Sequence, residues 1–141
     1  MILDTLLNFS AAQAPTTVGD TASTNVVDTG AAHDEGIGEN MFLLALINTA
    51  FTSGGAGTLQ VVLQTSPDNS TWTDAEMSGA LALASLTAGT MVRLRLPIGL
   101  QRYLRVAYRI GTAAMTAGAV SAYLVKDVDA VQYGAVGFSV Q

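Results

Sequence analysis

The tightest constraint on this chain is a two-residue alternation between residues 91 and 110. In MVRLRLPI (91–98) Val92, Leu94 and Leu96 share one parity, while Arg93 and Arg95 share the other. RYLRVAYRI (102–110) repeats the pattern, with Leu104, Val106, Tyr108 and Ile110 against Tyr103, Arg105 and Arg109. Successive side chains on a strand point to opposite faces, so each segment reads as a strand with one apolar and one cationic face. The two strands are taken as neighbours. On that reading Arg93, Arg95, Arg105 and Arg109 share one solvent-side face, and Arg102, of the other parity, sits at its rim.

The rest of the chain has the same grain. TLQVVLQTS (58–66) alternates, with Leu59, Val61 and Leu63 on one side. MFLLALIN (41–48) is apolar at both parities, as for a strand buried on both faces. STNVVD (23–28), TWTDAEM (71–77) and AVSAYLVKDV (119–128) complete the strand candidates, and TSGGAG, PDNS and GTAAMTAG read as turns or loops. SGALALASLTAGT (78–90) reads as strand and loop, because flanking glycines make a helix too short. Seven or eight short strands without sustained helical periodicity predict an all-β fold, an antiparallel β-sandwich of jelly-roll-like winding. At 141 residues, half of them hydrophobic and 12% charged, one domain with a real core is expected.

Charge narrows the function classes. The net charge is −5, yet five of the six cations are arginines between positions 93 and 109, and every acid except Asp127 and Asp129 precedes them. A nucleic-acid binder needs an excess of cations, so nucleic acid is not the expected partner. Catalysis finds no constellation. His33, the single histidine, lies beside Asp34 and Glu35 in a glycine-rich acidic loop, without a nucleophile elbow or further metal ligands. Without cysteine there is no disulfide and no thiolate site. We therefore expect no enzyme, no metal and no cofactor. Trp72, the lone tryptophan, follows the tight turn SPDNS and is the one candidate for a glycan contact. The competing reading is a ring that covers one end of the sandwich.

The N-terminal MILDTLLNFSAAQA lacks a cationic leader region, and no apolar run approaches membrane-spanning length, so neither a secretory signal nor a membrane segment is expected. Its apolar residues Ile2, Leu3, Leu6, Leu7 and Phe9 suggest an extended arm over residues 1–22 that packs on another subunit; the plainer alternative is a first strand or short helix packed on the chain's own core. A sandwich over 23–128 and a small apolar tail over 129–141 follow. Each fully buried Leu, Ile or Phe contributes roughly 1.5–3 kcal/mol. Five of them could offset an association cost of about 4–15 kcal/mol.

Five segments in order, MILDTLLNFSAAQA, STNVVD, AFTSGGAGTLQVVLQTSPD, LPIGLQRYLRVAY and TAGAVSAYLV, make residues 1–128 resemble the capsid cement protein family of short-tailed Bordetella-type bacteriophages. The resemblance implies a protein assembled in the host cytoplasm that binds the outside of an icosahedral head. There it would bridge major capsid proteins and stiffen the shell. It also implies a small homo-oligomer, a dimer being favoured. The arm and the arginine face, with Tyr103, are then the expected contacts with capsid or a second copy. The alternative is a virion-surface or tail-associated sandwich that recognises glycan or another virion protein.

Overall fold

The alternating segments fold into two antiparallel sheets packed face to face. The computed structural model describes residues 3–32 and 40–126. A 3-10 turn over Thr5–Leu7 leads into β1 (Asn8–Gln13), β2 (Gly19–Ala22) and β3 (Val27–Asp28). Then come β4 (Phe42–Ser53), β5 (Thr58–Ser66), β6 (Thr73–Met77), the two-residue β7 (Leu81–Ala82), and a second 3-10 turn. β8 (Met91–Arg95), β9 (Tyr103–Gly111) and β10 (Met115–Val125) close the chain. One sheet has four strands in the order β1-β10-β4-β8. The other, of six strands, runs β2-β9-β5-β6, with β3 added on β9 and β7 on β5.

The two sheets are one long ladder folded over. β4 pairs with β10 down to Ser53↔Met115, and the same two chain segments resume as β5 and β9 from Thr58↔Gly111. Between these registers the chain turns the corner at 54–57 and 112–114 and passes from one sheet to the other. Such folding over of a nested ladder is jelly-roll-like winding. The corner is tight. A Cβ on Gly57 would meet Met115 Sδ and the Ala113 carbonyl, and Ser53 Oγ donates to the Ala114 carbonyl at 2.7 Å.

The core lies where the alternation puts it. Leu59, Val61 and Leu63 of β5 face Leu104, Val106, Tyr108 and Ile110 of β9, while Leu43, Ala45 and Ile47 of β4 and Val120, Ala122 and Leu124 of β10 close over them. β4 is apolar on both parities because it has work on both faces. Leu44 is buried on the outer side with Val125, and Phe42, Met91 and Tyr123 pack around them.

Two expectations need correction. The arginine strands β8 and β9 are close in sequence but belong to different sheets, so no single face carries all their arginines. Seven residues between them are enough to cross the sandwich edge, and alternation within a strand does not say which sheet the strand joins. Secondly, residues 8–22 are not an arm. Phe9 is 0% exposed in the core, and β1 and β2 are integral strands on β10 and β9. Side chains stitch them down. The Asn25 N–H donates to the Phe9 carbonyl, and its amide to the Asn8 carbonyl, at 2.9 and 3.1 Å. Gln13 donates to the Ala22 carbonyl at 2.8 Å. The sandwich therefore begins at Asn8, and the expected tail at 129–141 lies outside the described residues.

Gly118, in β10, supplies a sharp test of this packing. Its φ is +135°, and a Cβ would fall within the Phe51 ring. Positive φ and overpacking each disfavour a side chain there. Gly118→Ala should destabilise the fold by about 2–4 kcal/mol, read as a melting temperature lower by about 6–16 °C. An unchanged melting temperature would mean that Phe51 is not seated on Gly118.

Candidate functional site

Outward-facing residues of β9 meet their partners on the neighbouring strands. Register sets Arg109 opposite Asp20 of β2 on one side and Gln60 of β5 on the other. Its guanidinium forks onto Asp20 at 2.7 and 2.9 Å and reaches Asp74 of β6 at 3.0 Å. Asp74 in turn accepts from the Gln64 amide at 2.8 Å, and Gln64 accepts from Arg105 Nε at 2.8 Å. Over Arg105 lies the indole of Trp72, 4.2 Å from ring centroid to guanidinium carbon. Arg102, just before β9, forks onto Asp28 of β3 at 2.7 and 2.8 Å and lies over its neighbour Tyr103.

This lattice covers apolar surface as well as pairing charge. Val62 and Ala107 share the outer face by alternation, yet both are buried. Long cationic side chains can lie along such surface while keeping their heads in polar contact. Partial burial pushes the Arg105 guanidinium down from its ordinary value. The Arg109 guanidinium, bonded to Asp20 and Asp74, is pushed up. The carboxyl of Asp20 is held down by its bond to Arg109. Asp28 is held at about 2 by the fork from Arg102 and the Gly30 N–H. Asp68 is lowered by the N–H groups of Thr71 and Ser70 in the turn before Trp72. Exposed pairs of this kind contribute little stability individually, because solvent screens them. Their larger effect is to fix which strands lie side by side.

The arginines expected to face a partner thus divide in two. Arg102, Arg105 and Arg109 are engaged within the chain. Arg93 and Arg95 are exposed on β8, an end strand of the other sheet, and make no ion pair among the described residues. Of the expected apolar contacts, Phe9 is core, Leu7 packs against the core, and Ile2 lies outside the described residues. Leu3 and Leu6 remain exposed, at 46% and 83%, around a 3-10 turn whose Leu6 N–H is capped by Asp4 at 2.9 Å. Sequence reasoning missed Ile98, 84% exposed beyond β8, which lines a cleft with Glu76, Arg95, Leu96 and Pro97. Its signal was the break in alternation at Pro97, which turns an apolar residue outward.

Trp72, the candidate glycan platform, has one ring face occupied by Arg105. The acidic loop of His33, Asp34 and Glu35 lies outside the described residues. Among the described residues, no three His, Asp or Glu side chains are placed to hold a metal.

The acid pairs make stability depend on pH in a definite direction. A carboxyl whose folded pKa is depressed adds stability above its ordinary value of 3.8, and that stability is lost as pH falls through the folded value. The melting temperature should hold from pH 7 to about 5 and fall between about pH 4 and 2. The double variant Asp20→Asn, Asp28→Asn should show a shallower fall. An identical slope in variant and wild type would remove these pairs from the account.

Comparison with known proteins gives one family. A family model described as Bbp16 matches residues 9–124, from the first core residue of β1 to the last turn-inward residue of β10. No curated protein matches the chain.

Proposed function

The chain belongs to the Bbp16 family, a family of Bordetella phage proteins, and from that premise we propose that it is a structural protein of the virion. In this reading it is a cement, or decoration, protein that binds the outside of the icosahedral head. It bridges neighbouring major capsid protein subunits, acts as a small oligomer with a dimer favoured, catalyses no reaction and takes no cofactor. The observation that carries the reading is the span of the family match, which covers nearly the whole sandwich.

The physical character of the molecule supports it. A protein that holds a shell against outward pressure must resist shear between its own strands. Here the β2-β9-β5-β6 sheet is cross-linked by Arg109 to carboxylates on β2 and β6 at once. Leu3 and Leu6 offer apolar contact beyond the first strand. Two buried leucines supply about 3–6 kcal/mol. That lies at the low end of an association cost of about 4–15 kcal/mol, so further contacts must contribute.

The test is cosedimentation with matching heads stripped of this protein, followed by imaging of the pellet. Wild type should bind saturably at fixed positions. Leu3→Asp with Leu6→Asp should keep the melting transition and lose at least tenfold in binding, since about 1.4 kcal/mol is a factor of ten. Wild type that stays folded in the supernatant would overturn the decoration reading.

A further inference from the structure

Backbone register fixes which groups of β8 face away from β4. Ile47 N–H donates to the Thr90 carbonyl and Leu96 N–H to the Met41 carbonyl, at 2.9 and 3.1 Å. In an antiparallel ladder, hydrogen-bonded and non-bonded pairs alternate. Pairs 90–47, 92–45, 94–43 and 96–41 are therefore the bonded ones, and pairs 91–46, 93–44 and 95–42 are not. The N–H and C=O groups of Met91, Arg93 and Arg95 consequently point away from β4, toward the open edge of the sheet. The same three residues send their side chains to the outer face. β8 is the last strand of its sheet, so among the described residues no strand receives those groups.

Charge then specifies what the edge would accept. Arg93 and Arg95 are the exposed arginines without an ion-pair partner among the described residues, whereas Arg102 and Arg109 each fork onto an aspartate. Two residues of strand span about 6.6–6.8 Å, which an extended segment matches with acids at alternate positions. We propose that the open edge of β8 receives an extended acidic segment of a partner protein, which adds as a fifth strand to the β1-β10-β4-β8 sheet. Carboxylates on that segment pair with Arg93 and Arg95, and an apolar residue beyond them covers Ile98 over the cleft.

Two other occupants fit less well. Antiparallel pairing of two β8 strands about a twofold axis would bring Arg93 and Arg95 against their own copies, and like charges directly opposite destabilise a pair. The phosphates of a nucleic-acid backbone are acceptors only, while the edge alternates donors with acceptors at strand spacing, which another peptide backbone matches. Arginines on an edge also discourage promiscuous strand addition. A segment that brings its own carboxylates overcomes that barrier, so the same residues exclude and select.

Identifying the partner with the head shell rests on the decoration reading; the chemistry of the edge does not. Two probes keep them apart. The first is the soluble peptide acetyl-Thr-Glu-Thr-Glu-Thr-Glu-amide, titrated into full-length protein while backbone amides are followed by NMR. The second is hydrogen exchange of the same amides on stripped heads. Wild type should show shifts concentrated at residues 91–95 with peptide, and protection there on heads. Arg93→Gln with Arg95→Gln, on exposed positions and with an unchanged melting temperature, should weaken peptide binding at least tenfold. If neither probe alters β8 amides, the inference fails, even where heads bind the protein elsewhere. If the double variant binds peptide as wild type does, the charge selection fails. Peptide bound at β8 with no binding to heads would uphold the edge and overturn the decoration reading instead.

Discussion

The buried phenol of Tyr108 is the constraint around which the sandwich is arranged. Its side chain is fully buried between the sheets, and a hydroxyl in a dry core must find a partner or lose about 1–3 kcal/mol. Ser10 supplies that partner. The bond crosses the sandwich, since Tyr108 belongs to β9 and Ser10 to β1 of the opposite sheet. Burial pushes the phenol up to about 12, so it keeps its proton at any ordinary pH. Once Ser10 is held there, the neighbouring Phe9 is committed to the same strand, and β1 becomes part of the domain instead of a free terminus. What precedes β1, with Leu3 and Leu6, is then displayed from a fixed base.

The same commitment decides the electrostatics. With Tyr108 inward, Arg109 and Ala107 must point outward, and Arg105 with them. An arginine row on a central strand would repel itself, but β9 is flanked by β2 with Asp20 and β5 with Gln64, and Arg109 reaches past β5 to Asp74 of β6. The chain is acidic overall, and Arg102 and Arg109 are placed where they neutralise particular carboxylates far off in sequence. The bond partners of Arg109 are 89 and 35 residues away. Pairs this exposed contribute little energy each, yet a wrong strand order would leave several charges unpaired at once. Specificity of sheet order is their main effect.

How much of this could be read from residues alone follows from the range of each signal. Alternation acts within a strand, so the inward sets of β5 and β9 were legible residue by residue, and so was the double-sided burial around Leu44. Sheet membership is a long-range property. Nothing in LPIGLQ says whether the chain returns beside β8 or crosses to the other sheet, and the shared face expected for the arginines was lost at that point. β1 was legible only as one of two readings, for a different reason. It contributes one large core residue, Phe9, and otherwise small or polar ones, and its attachment runs through amides of Gln13 and Asn25 that resemble loop composition. The loop read at 111–118 concealed the first residues of β10 because Met115, Ala117 and Gly118 follow the corner without a charged or polar rhythm.

The energetics of the exposed features argue for several weak contacts acting together. Two leucines, two edge arginines and one isoleucine cannot by area alone overcome the cost of immobilising a free protein, as rim charges add about 0–1 kcal/mol each. Strand addition changes that balance by satisfying backbone groups already aligned in β8, so little further ordering is needed on this side of the contact. A small oligomer on a repetitive shell gains again, because the second site binds at an effective concentration set by the first. On the decoration reading, each contact can therefore be modest while the array holds. Arg93 and Arg95, which make no ion pair among the described residues, are then better placed on an edge than in the Asp20–Arg109–Asp74 lattice, where recruiting them to a partner would cost the sheet its own order.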